Sequence, residues 1–183
     1  MTDGLPLRLA LQDDVPAVVK LIDASVRGLS TNYYSGVQID QALLHVFGPD
    51  TQLIADRTYY VIESPEGHLA ASGGWSRRRT LYGGDQHKGA APDPLLDPAT
   101  EAARIRAFFV HPAHARQGLG RRIFEACRAS AENAGFSALE LGATLPGVPF
   151  YERLGFRTME RVDAAMPDGL LLPVVRMRRG IGR

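Results

Sequence analysis

The chain has 183 residues, a formal net charge of +1 and a single cysteine, Cys127. That length suits one domain with a substantial core, and the near-neutral charge provides no global field for a nucleic-acid partner. The lone cysteine excludes an internal disulfide and a cysteine-rich metal site, and points to a reducing, cytoplasmic setting. No apolar run reaches the roughly 20 residues of a membrane span. Met1 to Gly4 lacks the basic-then-apolar order of a signal peptide, so no membrane partner is expected.

Leu5 to Ala10 alternates as a first strand, with Leu5, Leu7 and Leu9 on one side. Asp13 or Asp14 can cap a helix that tolerates Pro16 in its first turn, and Val15, Val18, Val19 and Ile22 recur at helical spacing. Residues 28–37, with Tyr33 and Tyr34, read as irregular. Asp40 to Phe47 reads as a second short helix ending near Gly48-Pro49. Thr58 to Glu63 and His68 to Arg77 read as strands joined by the turn Ser64-Pro65-Glu66-Gly67.

From about Arg78 to Ala99 the chain is rich in Gly, Pro and Asp. Both flanks look like strands, so this is an insertion within the domain and not a linker. Arg104 to Val110 is the expected central strand. Leu119 to Ala134 is a helix with Ile123, Cys127, Ala131 and Ala134 on one face, ended by Gly135. Ser137 to Gly142 is a strand, Pro149 to Leu154 a short helix, and Phe156 to Thr158 and Leu170 to Arg178 the closing strands. The domain is expected over 5–179, with 180–183 as a tail.

Between the central strand and the long helix lies Ala115-Arg116-Gln117-Gly118-Leu119-Gly120-Arg121. Gly118 and Gly120 let a ligand approach the backbone, and the helix that follows carries about half a positive charge at its start. Arg116, Arg121 and Arg122 add full charges. Such a junction suits a phosphate or pyrophosphate. It is not a P-loop, because the Gly-Lys-Ser/Thr ending is absent. Nor is it a dinucleotide fingerprint, because no third glycine and no acidic ribose ligand follow in place.

About thirty residues on, Pro149-Phe150-Tyr151-Glu152-Arg153-Leu154-Gly155-Phe156 forms a second motif. The two motifs in this order resemble the GCN5-related N-acetyltransferase (GNAT) superfamily, and the likeness extends over nearly the whole chain. The resemblance implies an α/β (α+β) single domain. Its mixed, curved central sheet has helices on both faces, and its middle strands splay apart to admit acetyl-CoA as co-substrate, with no metal. Phe108, Phe109 and Val110 would pair with the pantetheine arm through their backbone. The N–H groups from Arg116 through Gln117, Gly118, Leu119 and Gly120 to Arg121 would hold the pyrophosphate. Thr144 stands where many members carry an asparagine that helps hold the arm, and Ala115 stands where Gln or Arg is usual.

The implied reaction is direct acetyl transfer to a primary amine, here of a small-molecule acceptor. Such transfer needs a base for an ammonium whose free pKa is about 10, a stabiliser for the oxyanion, and an acid for the leaving thiolate. Tyr151 matches the family's tyrosine at the acid position. The central strand carries Arg104 and Arg106 where a glutamate is common, so the usual base is missing. Glu140 on the next strand is the replacement, directly or through a water, unless it is merely structural. Glu101 and His111 are weaker candidates.

Arg104 and Arg106 share one side of a strand and could hold an acidic acceptor or form ion pairs. Arg77-Arg78-Arg79 and the arginines from Arg176 onward read as a strand end and a solvated tail. Trp75 packs at a strand end or lines the acceptor cleft, and Cys127 reads as core. His68, His87, His111 and His114 look scattered, with no metal-ligand spacing. The 78–99 loop and the 28–37 segment should border the acceptor. The competing reading is an acyl-CoA-binding sensor without turnover. In this family a C-terminal strand often contributes to pairing, which leaves a homodimer open.

Overall fold

The structure, a computed structural model, describes residues 4–182. Among these, seven strands form one sheet in the order β1-β2-β3-β4-β5-β7-β6. They are β1 (Leu7–Leu9), β2 (Tyr59–Glu63), β3 (Leu69–Ser76), β4 (Ala103–Val110), β5 (Ala138–Thr144), β6 (Arg157–Ala165) and β7 (Leu171–Gly180). Every neighbouring pair is antiparallel except β4 and β5, which run parallel.

Each helix forms because its apolar residues fall on one stripe. In α1 (Val15–Leu29) the buried positions are Val18, Leu21, Ile22, Ser25 and Val26, and Pro16 sits harmlessly in the first turn. In α4 (Leu119–Asn133) they are Leu119, Ile123, Phe124, Cys127 and Ala131. α4 and α5 (Val148–Arg153) cover one face of the sheet, around Ile105, Leu139, Leu141 and Met177. α1 and α2 (Gly36–His45) cover the other, around Tyr59, Val61, Leu172 and Val174.

Several elements differ from the sequence reading, among them β6, which runs on to Ala165 where a strand over Phe156 to Thr158 is expected. α2 begins at Gly36, four residues early, because Ser35 and Gln38 form a reciprocal cap: Gln38 N–H donates to Ser35 Oγ at 3.2 Å and Ser35 N–H to Gln38 Oε1 at 3.0 Å. A further short helix, α3 (Thr51–Ala55), follows, where no element is expected from the sequence. Its first N–H and the Thr51 hydroxyl donate to the carboxylate of Asp85, 34 residues away, the hydroxyl at 2.7 Å. The end of the chain belongs to the fold as well. β7 runs to Gly180, and Ile181 is buried with its N–H on Ser137 O at 2.8 Å, past the boundary expected at 179. Arg183 lies outside the described residues.

Candidate active site

The middle of the sheet opens. β4 and β5 pair only through Ala103 with Leu139 and Arg104 with Glu140. Beyond Arg104, the β5 side of β4 has no strand partner. A bulge lies at the same place: Ala107 adopts φ +56°, and the register to β3 shifts between Ser72 and Gly74. Gly73 opposes the bulge because nothing larger fits; a Cβ there would lie 2.6 Å from the Phe108 ring. The bulge turns Phe108 toward α4 and Phe109 toward α1, where its ring stands edge-on to Phe47 at 6.3 Å.

A 3-10 turn (Pro112–His114) carries the chain from β4 to the start of α4. Arg116 and Gly118 take the left-handed conformation, at φ +63° and +84°. For Gly118 this is costless, and it reverses the backbone into the helix. The first bond of α4 runs from Arg122 N–H to Gly118 O at 3.1 Å, so the N–H groups of Leu119, Gly120 and Arg121 precede the helix's own ladder. The Gln117 side chain is tied to Ala113 O at 3.2 Å. The side chains of Arg116 and Arg121 are exposed at this lip.

α5 lies against this junction. The Phe150 ring sits 3.2 Å from where a Gly120 Cβ would be, and 6.5 Å from the Phe108 ring. Tyr151 is buried, edge-on to Phe108 at 6.3 Å and to Phe156 at 5.7 Å. No described residue hydrogen-bonds its hydroxyl, and that oxygen is not among the fully enclosed unpaired atoms. Burial pushes the phenol above its ordinary pKa, so it keeps its proton at neutral pH. Thr144 ends β5 and caps the turn Leu145–Gly147. Both Thr144 Oγ1 and the Tyr151 ring come within 3.3 Å of the Gly147 Cβ position. Phe108, Gly120, Thr144 and Tyr151 are thus drawn together at the opening.

Two other expected residues are placed differently. The N–H of Val110 donates to Ser25 Oγ of α1 at 3.2 Å, so that edge group is already engaged. Glu140 is buried on the opposite face from α4, among arginines. Its Oε1 accepts from Arg176 Nε at 2.8 Å and lies 3.2 Å from Arg104 Nη1, and its Oε2 lies 4.0 Å from Arg178. Of the two readings of Glu140, this geometry supports the structural one.

Arg106 is buried on Asp50 at 2.9 Å and also donates to Thr80 O at 2.8 Å and to Gly83 O, while Lys88 closes on Asp50 from the other side. The ion-pair reading of Arg104 and Arg106 therefore describes both. Arg78 and Arg79 pair with Asp56 and Glu101. Trp75 is core, edge-on to Phe136 at 6.0 Å, and Cys127 is core with its thiol pushed up by burial.

The 78–99 segment reaches β5, and the 28–37 segment reaches the turn after it and β7. Tyr82 packs 3.1 Å from a Cβ position on Gly142 and stacks on His87 at 5.2 Å. The Tyr34 hydroxyl accepts from Leu145 N–H at 2.8 Å and donates to Pro173 O at 2.7 Å; burial pushes its pKa up to about 12. The contacts of Tyr82 with Gly142 and of Tyr34 with Leu145 and Pro173 join residues sixty or more positions apart, beyond any local pattern. The histidines do not stay scattered. The structure gathers His68, His111 and His114, with ligand atoms within 4.8 Å of one another, which corrects the sequence reading.

Residues 95–177, which hold the strand, the glycine loop, α4 and α5, match the model of the acetyltransferase (GNAT) domain. Over that segment the chain is similar to the GNAT acetyltransferases. Solved structures share its fold over nearly its full length. A GCN5-related N-acetyltransferase from Rhodopseudomonas palustris matches with a TM-score of 0.71 at 16% identity, over 98% of each chain. The PaiA N-acetyltransferase of Thermoplasma acidophilum, solved with coenzyme A, matches at 0.66 and 9% identity over 97% of this chain and 99% of that one. A phosphinothricin acetyltransferase of Sinorhizobium meliloti, solved with acetyl-CoA, matches at 0.63 and 17% identity over 100% and 90%. No curated protein sequence matches. Among the described residues, no helix is long and apolar enough to cross a membrane.

Proposed function

We propose that the chain moves an acetyl group from acetyl-CoA to the primary amine of a small-molecule acceptor, by direct transfer. The observation that carries this reading is the parting of β4 from β5 after two paired positions, beside a glycine loop whose first helical N–H groups precede the helix's own ladder. An extended arm can lie along the bared edge of β4 as a strand would, and a diphosphate can rest on the helix start. Two relatives of the same fold were solved with coenzyme A or acetyl-CoA.

Acetyl-CoA would supply the activated thioester; the chain's residues do the rest. Phe108 and Phe109 offer backbone to the arm, and Val110 joins them once Ser25 Oγ releases its N–H. The N–H groups at 116–121 take the diphosphate, and Arg116 and Arg121 add charge at its edge. Thr144 Oγ1 borders the arm. Tyr151 holds a proton on an unpaired hydroxyl and delivers it to the departing sulfur. Glu140 cannot meet the amine while it holds Arg104 and Arg176. It acts at most through a water, and solvent carries the acceptor's proton away. Tyr82 and Tyr34 border the acceptor on the β5 side.

The commitment of Glu140 to arginines favours one other reading, a sensor that binds acyl-CoA without turnover. Calorimetry with acetyl-CoA, run beside thiol release over a panel of primary amines, separates the two. One-to-one binding with thiol release for at least one amine is expected. Binding without release across the panel points to the sensor, and absence of binding overturns both.

A further inference from the structure

Three of the chain's five histidines meet at one surface point, away from Tyr151 and Glu140. His68 leaves the β2–β3 turn, and His111 and His114 flank the 3-10 turn that follows β4. Their ring centroids lie 5.0, 5.4 and 5.9 Å apart. The Nε2 atoms of His68 and His114 are 3.2 Å from each other. Two imidazole nitrogens on one tetrahedral zinc, each about 2.0–2.1 Å from the ion, stand about 3.3 Å apart. That pair is thus already set at the spacing of two ligands of one ion.

We propose that His68, His111 and His114 form a binding site for a divalent transition-metal ion, of which zinc is the natural probe. Imidazole nitrogen selects zinc, nickel or copper over magnesium and calcium, which prefer oxygen. The surroundings of the cluster fit a ligand set. His68 Nδ1 lies 3.1 Å from Ser64 Oγ, so the hydroxyl can accept the Nδ1 proton and leave the Nε2 lone pair facing inward, the outer contact that orients a metal-bound histidine. Glu66 supplies the compensating charge. Its carboxylate hydrogen-bonds Ser64, whose hydroxyl also faces His68. The fourth position is open to water or to Glu66. His111 makes the one adjustment: its Nδ1 now accepts from Ala113 N–H at 3.2 Å, and ligation exchanges that bond for the ion. The site stands independently of the acetyl-transfer reading, although its turn leads directly into the 115–121 loop.

The test uses tag-free protein stripped with a chelator, titrated with zinc by calorimetry and with cobalt by visible absorption. The expected result is one ion per chain and the d–d bands of four-coordinate cobalt. His68→Ala and His114→Ala should each weaken binding by at least about tenfold. His45→Ala, outside the cluster, should bind as the parent does. His68 is exposed, so its variant should fold and carry the test even if His114→Ala does not. No saturable binding, or binding unchanged in both cluster variants, overturns the proposal.

Discussion

Each face of the sheet has an apolar core, and the two differ in what is added to it. The α4 face is apolar and is built largely from one continuous stretch, in which β4, the glycine loop, α4, β5 and α5 follow one another from Ala103 to Arg153, completed by residues of β2, β3 and β7. The opposite face has an apolar core of its own under α1 and α2, but beneath the 78–99 loop it is also fixed by charge pairs between distant segments. Asp50 joins Arg106 and Lys88, Glu140 joins Arg104 and Arg176, and Asp56 joins Arg78. A motif reader sees the first face and misses the second. The division also suits the proposed chemistry. A common cofactor can be held by a locally encoded half, while the acceptor half changes with its loop and its ion pairs.

The sharpest test of the comparison removes a single atom from the apolar face. In Tyr151→Phe the ring stays packed on Phe108 and Phe156, and only the unpaired hydroxyl goes. Under the proposed mechanism kcat falls about 10²–10⁴-fold, or roughly 2.7–5.4 kcal/mol of barrier. Stability should hold, because no hydrogen bond is lost. Steady-state kinetics with a thermal melt read both. Full activity would remove Tyr151 from the reaction.

The charged face should behave in the opposite sense. Asp50→Ala leaves Arg106 buried with carbonyl oxygens but no counter-charge, a change expected to cost about 3–5 kcal/mol. Urea unfolding measures it, and calorimetry on the folded fraction should find acetyl-CoA affinity unchanged. A loss under about 1 kcal/mol would mean that Asp85, which lies 3.7 Å from Lys88, and the carbonyl oxygens suffice. The two faces would then be less distinct than their charges suggest.

The same division decides what the sequence could tell. β4, α4 and α5 were readable because strand alternation, the 3.6-residue stripe and the glycine punctuation are all local. α3 was not, because its cap is Asp85, from the far end of a loop, while Asp50 at its own N-cap position is taken by Arg106 and Lys88. Arg104 and Glu140 were each found, but their pairing depends on the parallel register of two strands joined through a helix. The histidine cluster was missed for the same reason. His68 lies more than forty residues before His111, and only the folding of the β2–β3 turn against the end of β4 makes them neighbours.

The smallest expected effect tests whether ion pairing or backbone contact anchors the loop. Arg78 grips Asp56 with two bonds, Nε to Oδ2 at 2.8 Å and Nη2 to Oδ1 at 3.0 Å, and its backbone bridges to Leu95. The Arg78 hydrogen bond holds the Asp56 carboxyl below its ordinary value, against the opposing effect of burial. A carboxylate lowered by folding adds stability above its unfolded pKa of about 3.9, and that stability is lost as pH falls through the folded value. Asp56→Asn should therefore destabilise by about 0.2–1 kcal/mol near neutral pH, after solvent screening. The gap should close only below about pH 4, where the parent also becomes neutral at this site. Urea midpoints for both proteins across that range measure the gap. If it stays constant into acid, the loop is anchored by the Arg78–Leu95 bridge, and charge matters less on this face than the buried pairs imply.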